Sequence, residues 1–214
     1  MTQNEIKAVI FDCDGTLVDS EKLSIAVLAE YVGEFGFEIA VKDALRQWAG
    51  GELPKIFSMV ENSLGIKLPA DHLDQFRARQ LAKLATDLEV IDGAHDLLSS
   101  MAVPFCVASN APLNKVGLCL ETTGLDQFLP ESIRFSAYEI EIWKPEPDLF
   151  LLAAEKLGFE PSQCAVVEDS EYGIEAGLNA GMTTFAYDPH SELKPRDQVT
   201  SVQSLRELIP VFGG

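Results

Sequence analysis

Basic residues are scarce in this 214-residue chain: 16 Lys and Arg stand against 34 Asp and Glu, giving a formal net charge of −18. Such a field repels polyanions, so nucleic acid and anionic membranes are not expected partners. Cysteine is also sparse. The four present (Cys13, Cys106, Cys119 and Cys164) form neither a CxxC pair nor a Cys/His spacing of the zinc-binding kind. Cys13, Cys106 and Cys164 lie in or beside apolar runs, where a thiol behaves as a small hydrophobe, so reduced, buried cysteines are expected. No apolar run approaches the roughly 20 residues needed to cross a bilayer, and no basic segment leads into an apolar stretch of signal-peptide type. A cytoplasmic protein is therefore expected, without membrane attachment. There is no internal repeat and no low-complexity tract. The 47% hydrophobic content is that of a folded globular chain, with room for one domain carrying a large insert or for two small domains.

What is present begins with Ala8-Val9-Ile10-Phe11-Asp12-Cys13-Asp14-Gly15-Thr16. The apolar run is short and partly β-branched and is stopped by Gly15, so it reads as a buried strand. Two carboxylates at the carboxyl end of a buried strand are costly unless their charge is offset. In an open α/β sheet that edge is also where ligands bind. One acid there can attack a substrate while the other moves protons, with a divalent cation neutralising both, which is the arrangement of phosphoryl transfer. Because the whole chain is acidic, a bound cation and a few local basic groups must reverse the sign of the field at such a site.

Past this strand the pattern becomes helical. Ile25, Leu28, Ala29, Val32 and Phe35 recur at helical spacing, and further helices are predicted over Lys42–Trp48, Pro54–Leu64 and Asp71–Leu84. Pro54 suits a first turn, Gly65 suits a C-terminal cap, and Gly50-Gly51 suggest a flexible loop. From Gly93 onward helices and strands alternate. Strands are predicted over Val103–Ala108, Ile133–Ser136, Cys164–Val167 and Thr183–Tyr187, with helices between them and a last helix over Ser204–Leu208. Alternation of this kind implies a parallel sheet covered on both faces.

Parallel strands bring their carboxyl ends to one edge, so Asp12/Asp14, Ser109/Asn110 and Glu168/Asp169 can converge, with Lys144 in the loop Ile142-Trp143-Lys144-Pro145 as a fourth contributor. Singly, each later element has an ordinary structural reading as a cap, a turn or a solvated loop charge. Together they fit one mechanism. Asp12 attacks phosphorus, Asp14 protonates the leaving oxygen and later deprotonates water, and Mg²⁺ lets the two anions approach. Ser109, with Asn110 beside it, and Lys144 hold phosphate oxygens, while Glu168 and Asp169 anchor the metal directly or through water.

The stretch Phe11 to Ser20 resembles the first motif of haloacid dehalogenase superfamily phosphatases. Val107-Ala108-Ser109-Asn110 resembles the second motif, and Trp143-Lys144-Pro145-Glu146-Pro147 the third. Val166-Val167-Glu168-Asp169-Ser170 with the following Gly173, Ala176, Gly177, Ala180 and Gly181 resembles the fourth. The resemblance implies an α/β fold: a Rossmann-like, doubly wound parallel sheet over residues 1–18 and 88–214, with an α-helical cap inserted over residues 19–87. It implies Asp12 as nucleophile and metal ligand, Asp14 as acid/base offering its backbone carbonyl to Mg²⁺, and Asp169 as a carboxylate ligand. The β-phosphoglucomutase-like group, and within it sugar-phosphate phosphatases of the 6-phosphogluconate type, are the most similar. Dehalogenases and phosphonate hydrolases of the superfamily lack the second aspartate, so Asp14 disfavours those chemistries. The mutases carry a histidine where this chain has Ser24 and a cap arginine where it has Leu53, which favours hydrolysis over phosphoryl isomerisation. Receiver domains of signalling proteins use similar groups but place the acidic pair before the phosphorylated aspartate, the reverse of the order here. A monomer acting on a small phosphorylated metabolite is expected, with the cap closing over the site; Lys55, Arg77 and Arg79 are candidate substrate contacts in it.

Overall fold

The computed structural model describes residues 5–48 and 51–213, so Gly50 of the expected flexible loop lies outside the described residues. Strand β1 (Ala8–Phe11) is followed by four helices, α1 (Glu21–Gly33), α2 (Val41–Trp48), α3 (Leu53–Leu64) and α4 (His72–Asp87). Then come α5 (Ala94–Ser100), β2 (Phe105–Ser109), α6 (Leu113–Thr123), β3 (Arg134–Ser136), α7 (Ala137–Ile140) and α8 (Asp148–Leu157). The chain ends with β4 (Cys164–Glu168), α9 (Glu171–Asn179), β5 (Thr183–Tyr187), β6 (Val199–Val202) and α10 (Ile209–Phe212). Two compact units result: one joins the segment through Val18 to that from Glu89 onward, and the other spans Asp19–Leu88.

The helical unit is built on an aromatic centre. Leu28, Tyr31 and Val32 of α1, Phe57 and Val60 of α3 and Phe76 of α4 form one buried cluster. The Phe57 ring meets Tyr31 and Phe76 edge-on, at centroid separations of 6.3 and 5.9 Å, an arrangement that adds to simple burial. Pro54 sits in the first turn of α3, and Gly65, at φ 66°, closes that helix by donating to the Glu61 carbonyl.

The other unit holds a six-stranded sheet in the order β3-β2-β1-β4-β5-β6, with every neighbouring pair parallel. Its central strand β1 is fully buried at all four residues, as expected for a strand covered on both faces. Side chains alternate between those faces. Ile10 and Val166 share one cluster with Leu149, Phe150 and Ala153 of α8 and Ala176 of α9, whereas Phe185 reaches the other face, where its ring meets Phe212 of α10 at 5.3 Å. The fold is thus α/β, a Rossmann-like doubly wound parallel sheet with an α-helical insert after its first strand.

Two local expectations are corrected. Strand β6 carries Thr200 and Ser201 exposed; a half-solvated edge strand lacks the apolar run that marks the inner ones. The last predicted helix is a 3₁₀ turn over Leu205–Leu208, opened by a Ser204/Glu207 capping box, and α10 follows it.

Helix α9 approaches the sheet closely at Gly177, where an added Cβ would lie 2.8 Å from Thr184 Oγ1 and 3.4 Å from Val166 Cβ. Gly177→Val is therefore expected to cost about 1–3 kcal/mol through overpacking. Urea denaturation measures this, and unchanged stability would show that α9 can lift from the sheet freely.

Candidate active site

The register of the sheet decides which groups share its carboxyl edge. Phe11 pairs with Val107 of β2 and Val167 of β4, and the Asp12 N–H donates to the Val167 carbonyl at 3.0 Å. The residues that end these strands therefore emerge side by side: Asp12 between Ser109 and the Glu168-Asp169 pair.

Beyond Asp12 the chain folds into a tight turn, with the Leu17 and Val18 N–H groups donating to the Cys13 carbonyl at 2.9 and 3.1 Å. Gly15 has φ +85°, and a Cβ there would lie 2.0 Å from Asp169 Oδ2. Thr16 Oγ1 donates to Asp169 Oδ1 at 2.9 Å. The Gly-Thr pair after the two aspartates is thus the seat of Asp169, delivered from β4.

Lys144 is buried and uses all three of its donors. Its Nζ lies 2.5 Å from Asp12 Oδ1, 2.8 Å from Glu168 Oε1 and 2.9 Å from the Ala108 carbonyl, and 4.7 Å from the centre of the Phe150 ring. Asn110 holds the loop that carries it, its Oδ1 accepting the Lys144 N–H at 3.0 Å. The other oxygen of Glu168 accepts from the Ser170 N–H and hydroxyl, both at 2.8 Å. Gly173 makes this possible, since a Cβ there would overlap Glu168 Oε1 at 1.8 Å. Ser170 in turn caps α9 by accepting the Gly173 N–H, and the helix N-terminus favours the negative charge beside it. Both Glu168 oxygens are therefore engaged within the protein, so any tie from Glu168 to a metal would run through water. Ser109 is buried, and its hydroxyl oxygen accepts the Ala111 N–H at 3.0 Å. Its register partner Ser136 donates to the Ala111 carbonyl at 2.7 Å and holds the same loop.

Sequence reasoning missed Lys115. Its Nζ lies 2.7 Å from Asp14 Oδ1, with side-chain exposures of 14% and 26%. The available signal was its place on the buried stripe of α6, one residue before Val116 and one turn before Cys119, in the first turn of the helix that follows β2. The cap candidates behave differently. Arg79 forms a two-armed pair with Glu34, and Lys55 pairs with Glu52, all within the helical unit.

The electrostatics follow from crowding. Burial pushes Asp12 up to about 7, with Lys144 pulling against it and Glu168 and Asp14 adding to the rise. Burial works against the charge of Lys144 too, yet Asp12 and Glu168 beside it hold it above the ordinary lysine range. The two outcomes differ because Lys144 has two carboxylate partners, whereas Asp12 has one ammonium against two like charges. Lys115 is likewise held up by Asp14 despite its burial. Burial, then Asp14, drives the Cys13 thiol upward, so the residue between the two aspartates stays neutral.

Four carboxylates (Asp12, Asp14, Glu168 and Asp169) thus face two ammonium groups (Lys115 and Lys144), an excess of two negative charges. A divalent cation would cancel that excess. Among the described residues no three His, Cys, Asp or Glu side chains group as metal ligands. With Glu168 turned to Lys144 and Ser170 and Asp14 to Lys115, Asp12 and Asp169 are the carboxylates whose side-chain oxygens suit a cation. Mg²⁺ is commonly bound by one or two carboxylates with water and phosphate oxygens completing its shell, so this donor set fits it.

Fold and edge together define a Rossmann-like α/β enzyme with an acidic, lysine-braced site and a helical insert. A family model for haloacid dehalogenase-like hydrolases matches residues 6–181. The chain is 34% identical over 208 residues to the 6-phosphogluconate phosphatase of Escherichia coli (strain K12), covering 96% of this chain and 94% of that protein. A solved haloacid dehalogenase-like protein from Agrobacterium tumefaciens superposes with a TM-score of 0.82 at 30% identity, over 96% of this chain and 97% of the other. A HAD-family hydrolase from Deinococcus radiodurans, solved with phosphate and sodium, gives 0.77 at 28% identity, over 96% and 94%. The chain belongs to the haloacid dehalogenase-like hydrolases.

Lys144→Met leaves Asp12 and Glu168 buried with no ammonium between them and is expected to lower stability by about 3–5 kcal/mol near pH 8 in EDTA. Burial already holds folded Asp12 near 7 against an ordinary 3.8. A folded-state pKa raised in this way, and raised further once the pull of Lys144 is gone, makes folding take up a proton, so the variant regains stability as pH falls from above about 7 toward about 4. Urea denaturation near both limits measures this; equal loss at the two pH values would mean that Asp12 is not the charge left uncompensated.

Proposed function

We propose that this chain is a Mg²⁺-dependent phosphatase that hydrolyses a small phosphorylated metabolite, a sugar or sugar-acid phosphate, through an aspartyl-phosphate on Asp12. The observation that carries the reading is the separate bracing of the two aspartates: Lys144 on Asp12 at 2.5 Å and Lys115 on Asp14 at 2.7 Å. The chain is a phosphoric monoester hydrolase, in keeping with its family and with the phosphatase it matches at 34% identity. The acidic phosphate named in that relative supports a sugar-acid phosphate as substrate here.

In the first half-reaction an Asp12 carboxylate oxygen attacks phosphorus, the bond to the leaving oxygen breaks, and Asp14 gives that oxygen a proton. In the second, water attacks the phosphorus, Asp14 takes its proton, and the bond to Asp12 breaks to release inorganic phosphate. Asp12 and Asp169, with the Asp14 backbone carbonyl, would hold Mg²⁺, which supplies charge neutralisation between the carboxylate and the phosphate. Lys144 fixes Asp12 and offsets negative charge at the transferring group. The Ser109 hydroxyl, whose oxygen already accepts a hydrogen bond, turns its own hydrogen toward a phosphate oxygen. Asn110 serves through the Lys144 loop and Glu168 through the Lys144 ammonium.

The direct test is a panel of phosphorylated metabolites with Mg²⁺, headed by 6-phosphogluconate, with released phosphate measured beside isomerised sugar phosphate. Phosphate release is expected; isomerisation without release would make the chain a mutase. Asp12→Asn is expected to abolish both turnover and covalent phosphate retained after acid quenching. Asp14→Asn is expected to slow turnover at least about tenfold. Near-normal turnover in Asp12→Asn would rule out the covalent route. Chelation with EDTA is expected to remove activity and added Mg²⁺ to restore it.

A further inference from the structure

The Lys115–Asp14 pair is unlike the ion pairs on the surface of this protein. Arg206 with Asp92, Arg79 with Glu34 and Lys83 with Asp87 all join side chains more than two-fifths exposed, where such pairs contribute little. Lys115 and Asp14 are separated by 101 residues and mostly withdrawn from solvent. Lys115 stands in the first turn of α6, which is fixed by Pro112 at its N-cap and by the buried Val116, Cys119 and Leu120 on its inner face. The loop leading into α6 is held by Ser109 and Ser136 through Ala111. Lys115 is therefore carried by a rigid element, anchored to the same strand end that presents Ser109. Its ammonium is aimed at one oxygen of the second aspartate.

A carboxylate that must first donate and later accept a proton has to stay beside the leaving oxygen without collapsing onto the basic group of the phosphate site. In the structure Lys144 already has three acceptors, and Asp14 is not one of them. The carboxylate of Asp14 is held by Lys115 instead. We infer that Lys115 is a positioning residue for Asp14: by holding one carboxylate oxygen it sets the orientation in which the acid/base carboxylate meets the leaving group and water. The edge is then divided into two arms, a phosphate arm (Asp12, Lys144, Glu168) and a proton arm (Asp14, Lys115). Lys115 touches neither phosphorus nor the leaving oxygen and acts only through Asp14.

This inference rests on the reading of Asp14 as acid/base, and a double-mutant cycle separates the two. Lys115→Met, Asp14→Asn and the double variant are compared in kcat and KM with p-nitrophenyl phosphate and 6-phosphogluconate in saturating Mg²⁺. Lys115→Met is expected to lower kcat about tenfold or more while KM stays within about threefold, and to add less than about twofold in the Asp14→Asn background. Lys115→Arg, which keeps the charge and the donor, is expected to recover most of kcat. Equal losses from Lys115→Met in both backgrounds would overturn the inference, because Lys115 would then act independently of Asp14. A rise in KM at constant kcat would also overturn it, because Lys115 would then bind substrate. If Asp14→Asn itself kept full kcat, the acid/base reading would fall and the inference with it. If Asp14→Asn were slow and Lys115→Met fully active, the inference alone would fall. Thermal unfolding of each variant accompanies the kinetics, and should Lys115→Met not fold, Lys115→Gln takes its place in the cycle.

Discussion

Holding four carboxylates at the ends of two neighbouring buried strands is an electrostatic problem before it is a catalytic one, and the Lys144 ammonium is the group on which its solution turns. Placed against Asp12, Glu168 and the Ala108 carbonyl, it has every donor satisfied inside the protein, the condition under which a buried charge is tolerable. Each of its partners is secured from another element. Asp12 is tied through its N–H to β4, Glu168 through Ser170 to the N-terminus of α9, and the Lys144 loop through Asn110 to the end of β2. One ammonium thus connects the three central strands at their carboxyl ends.

The small residues around the edge serve the same end. Gly15 and Gly173 lie where a Cβ would strike a carboxylate, that of Asp169 and that of Glu168 respectively. Space is given to the acids by removing side chains beside them, not by widening the sheet, so β1 keeps a fully buried pairing with both neighbours. The positive φ of Gly15 serves the turn as well. At this position conformational freedom and close approach are both required, and only glycine offers both.

Much of this was legible in the sequence because it follows from periodicity and from strand ends. The apolar run before Asp12 marked the central strand, and alternation after Gly93 marked the parallel sheet. Parallel connectivity alone was enough to bring Ser109, Glu168 and Asp169 toward Asp12. What stayed illegible depends on side-chain direction. Glu168 reads in sequence as an acid beside an acid; only the geometry shows its oxygens facing Lys144 and Ser170. Asn110 reads as a phosphate donor, and only the geometry shows its carbonyl oxygen accepting from the backbone of the Lys144 loop. Lys115 lies five residues beyond Asn110, in a helix whose polar residues would ordinarily be solvated. Its contact with Asp14 spans 101 residues, and no local pattern encodes it. Strand β6 escaped for the opposite reason: it is an edge strand with too little apolar surface to leave a signal.

The charge balance also bears on how so acidic a chain can handle phosphate. At long range a net charge of −18 opposes a dianion, but that field is screened within about 10 Å at moderate salt. At short range the edge itself carries two more carboxylates than ammonium groups. Lys144 and Lys115 are both engaged with acids, so neither can be turned wholly toward a phosphate without exposing a carboxylate it now holds. The edge as it stands therefore repels phosphate, and in the proposed reaction a cation offsets that excess. Two lysines braced on two aspartates leave an excess of negative charge at the edge that the proposed cation would offset. They also hold Asp12 and Asp14, two residues apart in the chain, through separate ammonium groups.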